Sequence, residues 1–144
     1  MDLTAVKRAL AAAVTTAQID LNGRRITATA FATDAIVEPH FFCAEYIGQY
    51  HKTYGGLMNV ALTCRLFVSR ADDKSGQEAC DEAASSTGAG SLLATLEAAR
   101  GAPGQKALSG AADDFVVQRV SGPRLYQIGQ VEYYGLEFGL FVMG

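Results

Sequence analysis

Between residues 57 and 70 apolar and polar side chains alternate over many positions. Met58, Val60, Leu62, Cys64, Leu66 and Val68 share one parity and Asn59, Thr63, Arg65 and Ser69 the other, with Ala61 and Phe67 as exceptions. Successive side chains of a strand point to opposite faces, so this run predicts a half-buried β-strand. The C-terminal run 131–143 alternates in the same way, with Tyr134, Leu136, Phe138, Leu140 and Val142 on one side. Shorter extended segments are expected at 24–32, at 40–47 ("HFFCAEYI"), at 115–121 and at 125–129. A different period governs the N-terminus: Leu3, Val6, Leu10 and Val14 form a helical stripe on an alanine-rich body. Helices are also expected over 72–85 and 91–100, separated by "STGAG". "NG" at 22–23 marks a turn, and "TDAIVEP" at 33–39 reads as a loop. The segment "GQYHKTYGG", 48–56, has no period and ends in two glycines, as a loop ordered by a partner would.

These elements predict an α/β chain of the α+β kind: one mixed or antiparallel sheet, with an N-terminal helix and a central helix pair packed on one face. The expected arrangement is a single domain over 1–144 without repeats. Thirteen residues of strand at ~3.3 Å each reach about 43 Å, whereas a compact chain of this length is about 37 Å across. The two longest strands must therefore bend, or reach past their own core towards something else.

Composition narrows the class. Apolar residues make up 49% of the 144 and charged residues 19%, so the chain can bury a core without disulfides or metals. Twelve basic and fifteen acidic residues are scattered, giving a net charge of −3 and no cluster to track phosphates. Cys43, Cys64 and Cys80 match no zinc spacing and read as reduced, mostly buried thiols. The opening residues lack a signal peptide's apolar centre, and no run approaches the ~20 apolar residues of a membrane span.

Candidate chemistry is sparse. Asp72 and Asp73 end a strand where a helix starts, and a carboxylate there accepts hydrogen bonds from unpaired backbone N–H groups. Ser75 with Glu78 adds a capping-box spacing, so either aspartate or Ser75 can be the cap. Adjacent carboxylates diverge, which suits a shared metal poorly. His40 and Cys43 form an H-x-x-C pattern, but residues three apart in an extended chain face opposite ways, and no oxyanion hole accompanies them. "TGAGS", 87–91, follows a helix and lacks a P-loop lysine, so it reads as an interhelix turn. The aromatics around 48–56 fit a contact surface, and Tyr46, Tyr50, His51, Lys52 and Tyr54 are its candidate residues. No catalytic, cofactor-binding or metal-binding residue is expected.

Two longer stretches carry a family likeness. "VALTCRLFVSRADDKSGQEACDEAASSTGAGSLLATLEA" has a strand ending in V-S-R-A-D-D, a helix opening with a small residue and Q-E, and a glycine-rich turn into a second helix. "GAADDFVVQRVSGPRLYQIGQVEYYGLEFGLFVMG" has A-x-D-D before a strand, then a G-x-V-E/D-Y-x-G-x-E-F hairpin and a final strand. In these features, and in the opening "LTAVKRALAAAV", the chain resembles tail terminator proteins of long, flexible-tailed phages of actinobacteria. The likeness covers most of 57–144 and is weak over 24–56, where a single Pro39 stands in place of the family's proline pair.

The resemblance implies a virion structural protein whose copies, six in the family, form a ring capping the finished tail tube. Such a ring stops tube polymerisation and presents a surface to the head-completion, or stopper, proteins. The implied partners are other copies of the chain, the tail tube protein and the stopper, with DNA passing non-specifically through the channel and no membrane involved. The implied location is the virion tail at its junction with the head, after assembly in the host cytoplasm. Asp72, Asp73, Gln77, Tyr133 and Gly135 are matched family positions with structural roles. The rivals are another head–tail connector or tail-completion ring and, from a different class, a small α/β enzyme or ligand-binding domain using Cys43 and His51.

Overall fold

The computed structural model describes residues 1–33, 36–50, 58–70 and 73–144, with Tyr50 and Met58 by their backbone alone. Helix α1, Leu3–Ala17, starts at Asp2, whose carboxylate accepts from the backbone N–H groups of Thr4 (2.9 Å) and Ala5 (3.3 Å). It ends at Gln18 in the left-handed region (φ 52°) and buries Val6, Leu10 and Val14. Asn22 and Gly23, both with positive φ, close a two-residue turn between β1 (Asp20–Leu21) and β2 (Arg24–Arg25).

The strand expected over 24–32 is two pieces. Arg24 and Arg25 fold back on β1, while β3 (Thr27–Thr29) joins the main sheet. Ile26 is the pivot: its side chain is buried and its N–H donates to the Ile19 carbonyl (2.8 Å), so the residues before and after it pair with different neighbours.

The main sheet also contains β4 (His40–Tyr50), β5 (Met58–Ser69), β6 (Asp114–Ile128) and β7 (Val131–Met143), in the order β3-β4-β5-β7-β6. Only β3 runs parallel to its neighbour, β4. β4 continues three residues past the expected 47. Gly48, Gln49 and Tyr50 show no strand pattern alone, but they pair with Val60, Asn59 and Met58, and pairing outweighs local propensity. The two strands expected at 115–121 and 125–129 are one. Gly122 (φ +124°) and Pro123 sit in a bulge between Ser121 and Arg124, and pairing with β7 resumes beyond it. Further bulges lie between Cys43 and Glu45, Phe67 and Ser69, and Val117 and Arg119. Of the two longest predicted strands, β5 is thus interrupted by a bulge, whereas β7 runs without one.

Helices α2 (Lys74–Ala84) and α3 (Leu92–Ala98) are shorter than the expected 72–85 and 91–100, and both pack with α1 on one face of the sheet. Ser91 caps α3: its hydroxyl oxygen accepts from Ala94 N–H (3.0 Å) while its O–H donates to the Ser85 carbonyl. A 3₁₀ turn over Leu108–Gly110 completes this layer. Beneath it lie Leu62, Cys64 and Leu66 of β5 and Phe138, Leu140 and Val142 of β7, the two parities read from the alternation.

Candidate functional site

The helix caps resolve one open choice. The Asp73 carboxylate accepts from Gly76 N–H at 2.8 Å and caps α2. Ser75 is the second residue of the helix, and its hydroxyl and carbonyl both accept from the Asn22 side-chain amide, at 2.9 and 3.0 Å. Glu78 faces Lys74 (3.8 Å), so no capping box forms. Asp72 lies outside the described residues.

Of the candidate contact residues, Tyr46 stands on the helix side of β4, opposite Leu62, and is 51% exposed. The Lys7 ammonium lies 5.0 Å from that ring and 5.4 Å from the Phe31 ring, a cation–π arrangement on the flank of α1. Tyr50 ends β4, and its side chain, with His51, Lys52 and Tyr54, lies outside the described residues.

The other face of the sheet carries no helix among the described residues. At one end it forms a small core of its own. Phe67 is fully buried, stacked on Tyr133 (ring centroids 5.0 Å apart) and edge-on to Phe42 (5.2 Å), with Tyr126 at 5.4 Å. Guanidinium groups lie over this cluster: Arg65 and Arg124 over Tyr126 (5.0 and 5.9 Å) and Arg70 over Tyr133 (5.8 Å). Arg65 is paired with Glu137 (3.1 Å) and Arg70 with Glu38 (2.7 Å). Burial of the Tyr126 hydroxyl, with the Glu137 carboxylate nearby, pushes its pKa up to about 12.

His40 borders this cluster, 3% exposed and stacked on Phe42. Its two ring nitrogens lie 2.7 Å from Thr27 Oγ1 (Nδ1) and 3.0 Å from Thr29 Oγ1 (Nε2). Thr29 donates its own proton to the Phe31 carbonyl (2.6 Å), so it accepts from Nε2–H, leaving Nδ1 to accept from Thr27. That arrangement suits a neutral imidazole, and burial lowers the pKa below its ordinary 6.5. His40 thus binds the short parallel strand to the sheet.

At the other end the face stays open. Ile47, Ala61, Phe141 and Val116 occupy one row across β4, β5, β7 and β6. Ile47 is 71% exposed and the other three are part-exposed, so an apolar row crosses four strands without a covering layer among the described residues. Among the described residues the sheet's flanks are open as well. β3 covers β4 only from His40 to Phe42, and β6 pairs on one side alone. Unpaired strand edges are templates for another chain, although the bulge and Pro123 blunt the middle of β6.

This row is absent from the residues picked out in the sequence, yet it left a signal. Ala61 breaks the parity of its strand, and Phe141 falls opposite the apolar set of the last strand. Off-parity apolar residues in neighbouring strands mark a second apolar surface.

The remaining candidates separate. Cys43 points into the helix-covered core, opposite to His40, and lies beside Cys64; His51 lies outside the described residues. Two open hollows, one lined by alanines of α1 and α3 and one by 100–106 with Asp113 and Asp114, do not include Cys43. Among the described residues no three His, Cys, Asp or Glu side chains are placed together for a metal ion, and no helix is long and apolar enough to cross a membrane. No family model and no curated protein matches the chain.

Proposed function

We propose that this chain is a virion structural protein, the subunit of a tail terminator ring. Six copies cap the tail tube, halt its polymerisation and receive the head-completion protein, while DNA passes through the channel without sequence recognition. The observation that carries this reading is the apolar row Ile47–Ala61–Phe141–Val116, which among the described residues has no covering layer and meets unpaired strand flanks at both sides of the sheet. A closed ring uses two different patches of each subunit, one meeting the other head to tail. The unpaired flank of β4 beyond Phe42 and that of β6 lie at opposite sides of the sheet, as such a contact needs. Permanent assemblies of this kind commonly bury more than ~2,000 Å² per interface. The family resemblance over 57–144 supplies the tail, the tube and the copy number.

Imaging assembled particles tests the proposal: six-fold density of this protein between tube and head is expected. Density at another level of the joint would assign it to a different connector. Its absence from the particle, together with a stable monomer when mixed with tube ends, would overturn the ring.

A further inference from the structure

We propose that Cys43 and Cys64 form an oxidation site that closes into a cross-strand disulfide when the folded protein meets a small peroxide. The two residues are register partners on β4 and β5, directly opposite one another. Opposed residues of an antiparallel pair have Cα atoms about 4.5–5.5 Å apart, inside the range a disulfide spans. Their sulfurs are already 3.6 Å apart, so side-chain rotation closes most of the remaining gap without moving the backbone. Cys80 is buried on α2 among Ala79 and Ala83, on a different element. The sequence gives three unrelated thiols, and the fold makes two of them a pair.

Geometry also assigns the roles. The Cys64 thiol donates to the Cys43 sulfur. Cys43 is the nearer to an opening: β3 pairs with β4 only as far as Phe42, and a bulge follows at Ala44, so fraying of this flank uncovers Cys43 first. Cys43 is therefore the nucleophile, with the Cys64 sulfur held beside it as its partner. The Cys43 thiolate attacks one peroxide oxygen, and with a proton from solvent it leaves a sulfenic acid and water. The Cys64 sulfur then displaces the hydroxyl, its own proton leaving with it as a second water. Two thiols lose two electrons and two protons in all, and one peroxide becomes two waters. The product ties β4 to β5 across the hairpin they form. This inference is independent of the ring, because an isolated subunit carries the whole pair.

The test uses the full chain, freed of reductant, treated with hydrogen peroxide under native conditions, then denatured and labelled with a maleimide. The adducts should fall from three per chain to one, on Cys80, and digestion should yield a peptide joining Cys43 to Cys64. The melting temperature should rise by about 10 °C, as for a closed loop of this size in a domain of this length, and a phosphine should reverse it. Cys80→Ser should form the same Cys43–Cys64 link, its adducts falling from two to none, and Cys64→Ala should keep its thiols unlinked. The wild-type peptide map stands even if a variant fails to fold. Three adducts after treatment, a link through Cys80, oxygen added to sulfur without a link, or a link that forms only in urea would each overturn the proposal.

Discussion

At the aromatic end of the helix-free face, Phe67 is sealed by Phe42, Tyr126 and Tyr133, and three guanidinium groups lie over the rings. At the opposite end, Ile47 and its row have no covering layer among the described residues. Both ends belong to one sheet and one face, so sheet geometry does not account for the difference. One end contains residues large enough to cover one another, with arginine stems above them. The other carries a single apolar row without residues of that size around it among the described residues. The finished end serves stability, and the open row is the surface that the proposed ring would bury.

This contrast can be broken by substitution. The largest effect is expected at the finished end: Phe67→Ala should cost the isolated subunit about 3–5 kcal/mol, read from the urea midpoint at constant slope. A loss below about 1 kcal/mol would mean that the cluster is not a core. Gly135→Ala comes next. A methyl group there would lie 2.0 Å from the Leu66 carbonyl oxygen, against backbone rather than a movable side chain. Such overpacking costs about 1–3 kcal/mol, and an unchanged midpoint would show that β5 and β7 part easily at this point.

His40 sharpens the contrast through pH. Its pKa in the folded protein is lowered, so its contribution to stability is complete above the ordinary 6.5 and is lost as pH falls below that value. The Asp20 and Asp114 carboxylates, also lowered, act only below their ordinary 3.8, so the two windows separate. Stability should drop as pH falls below 6.5, and His40→Gln should flatten that drop; an equal drop in the variant would place its source elsewhere. The smallest effect on the lone subunit is expected from Ile47→Lys, within about 0.5 kcal/mol. The same change should abolish ring formation, as light scattering or particle imaging would show. A variant that assembles like the wild type would remove the apolar row from the interface.

The sequence made the covered face readable because each residue there obeyed one period. Leu62, Cys64, Leu66, Phe138 and Leu140 occupy the buried positions their spacing predicts. The helix stripe at Val6, Leu10 and Val14 was equally plain. What resisted reading depended on neighbours distant in sequence. Gly48 and Gln49 are strand because β5 lies beside them, and "SGP" at 121–123 stays within a strand because β7 pairs on both sides of it. The break at Ile26 follows from competition between β1 and the main sheet. Likewise, Cys43 and Cys64 are a pair only once register is set, since 20 residues separate them along the chain. The open row was half visible, in Ala61 and Phe141 falling on the wrong parity.

The bulges give the strands unequal tolerance of insertion and deletion. β4 and β5 each carry one residue beyond what their partners match and β6 carries two, whereas β7 is the uninterrupted strand against which β5 and β6 are aligned. Removing Ala44 or Gln118 would straighten a kink and leave the flanking side chains facing as before. Removing one residue from the middle of β7 would turn half of that strand inside out, carrying Phe138 and Leu140 from the core into water. Length variation among related chains should therefore collect in the kinked strands and spare the straight one.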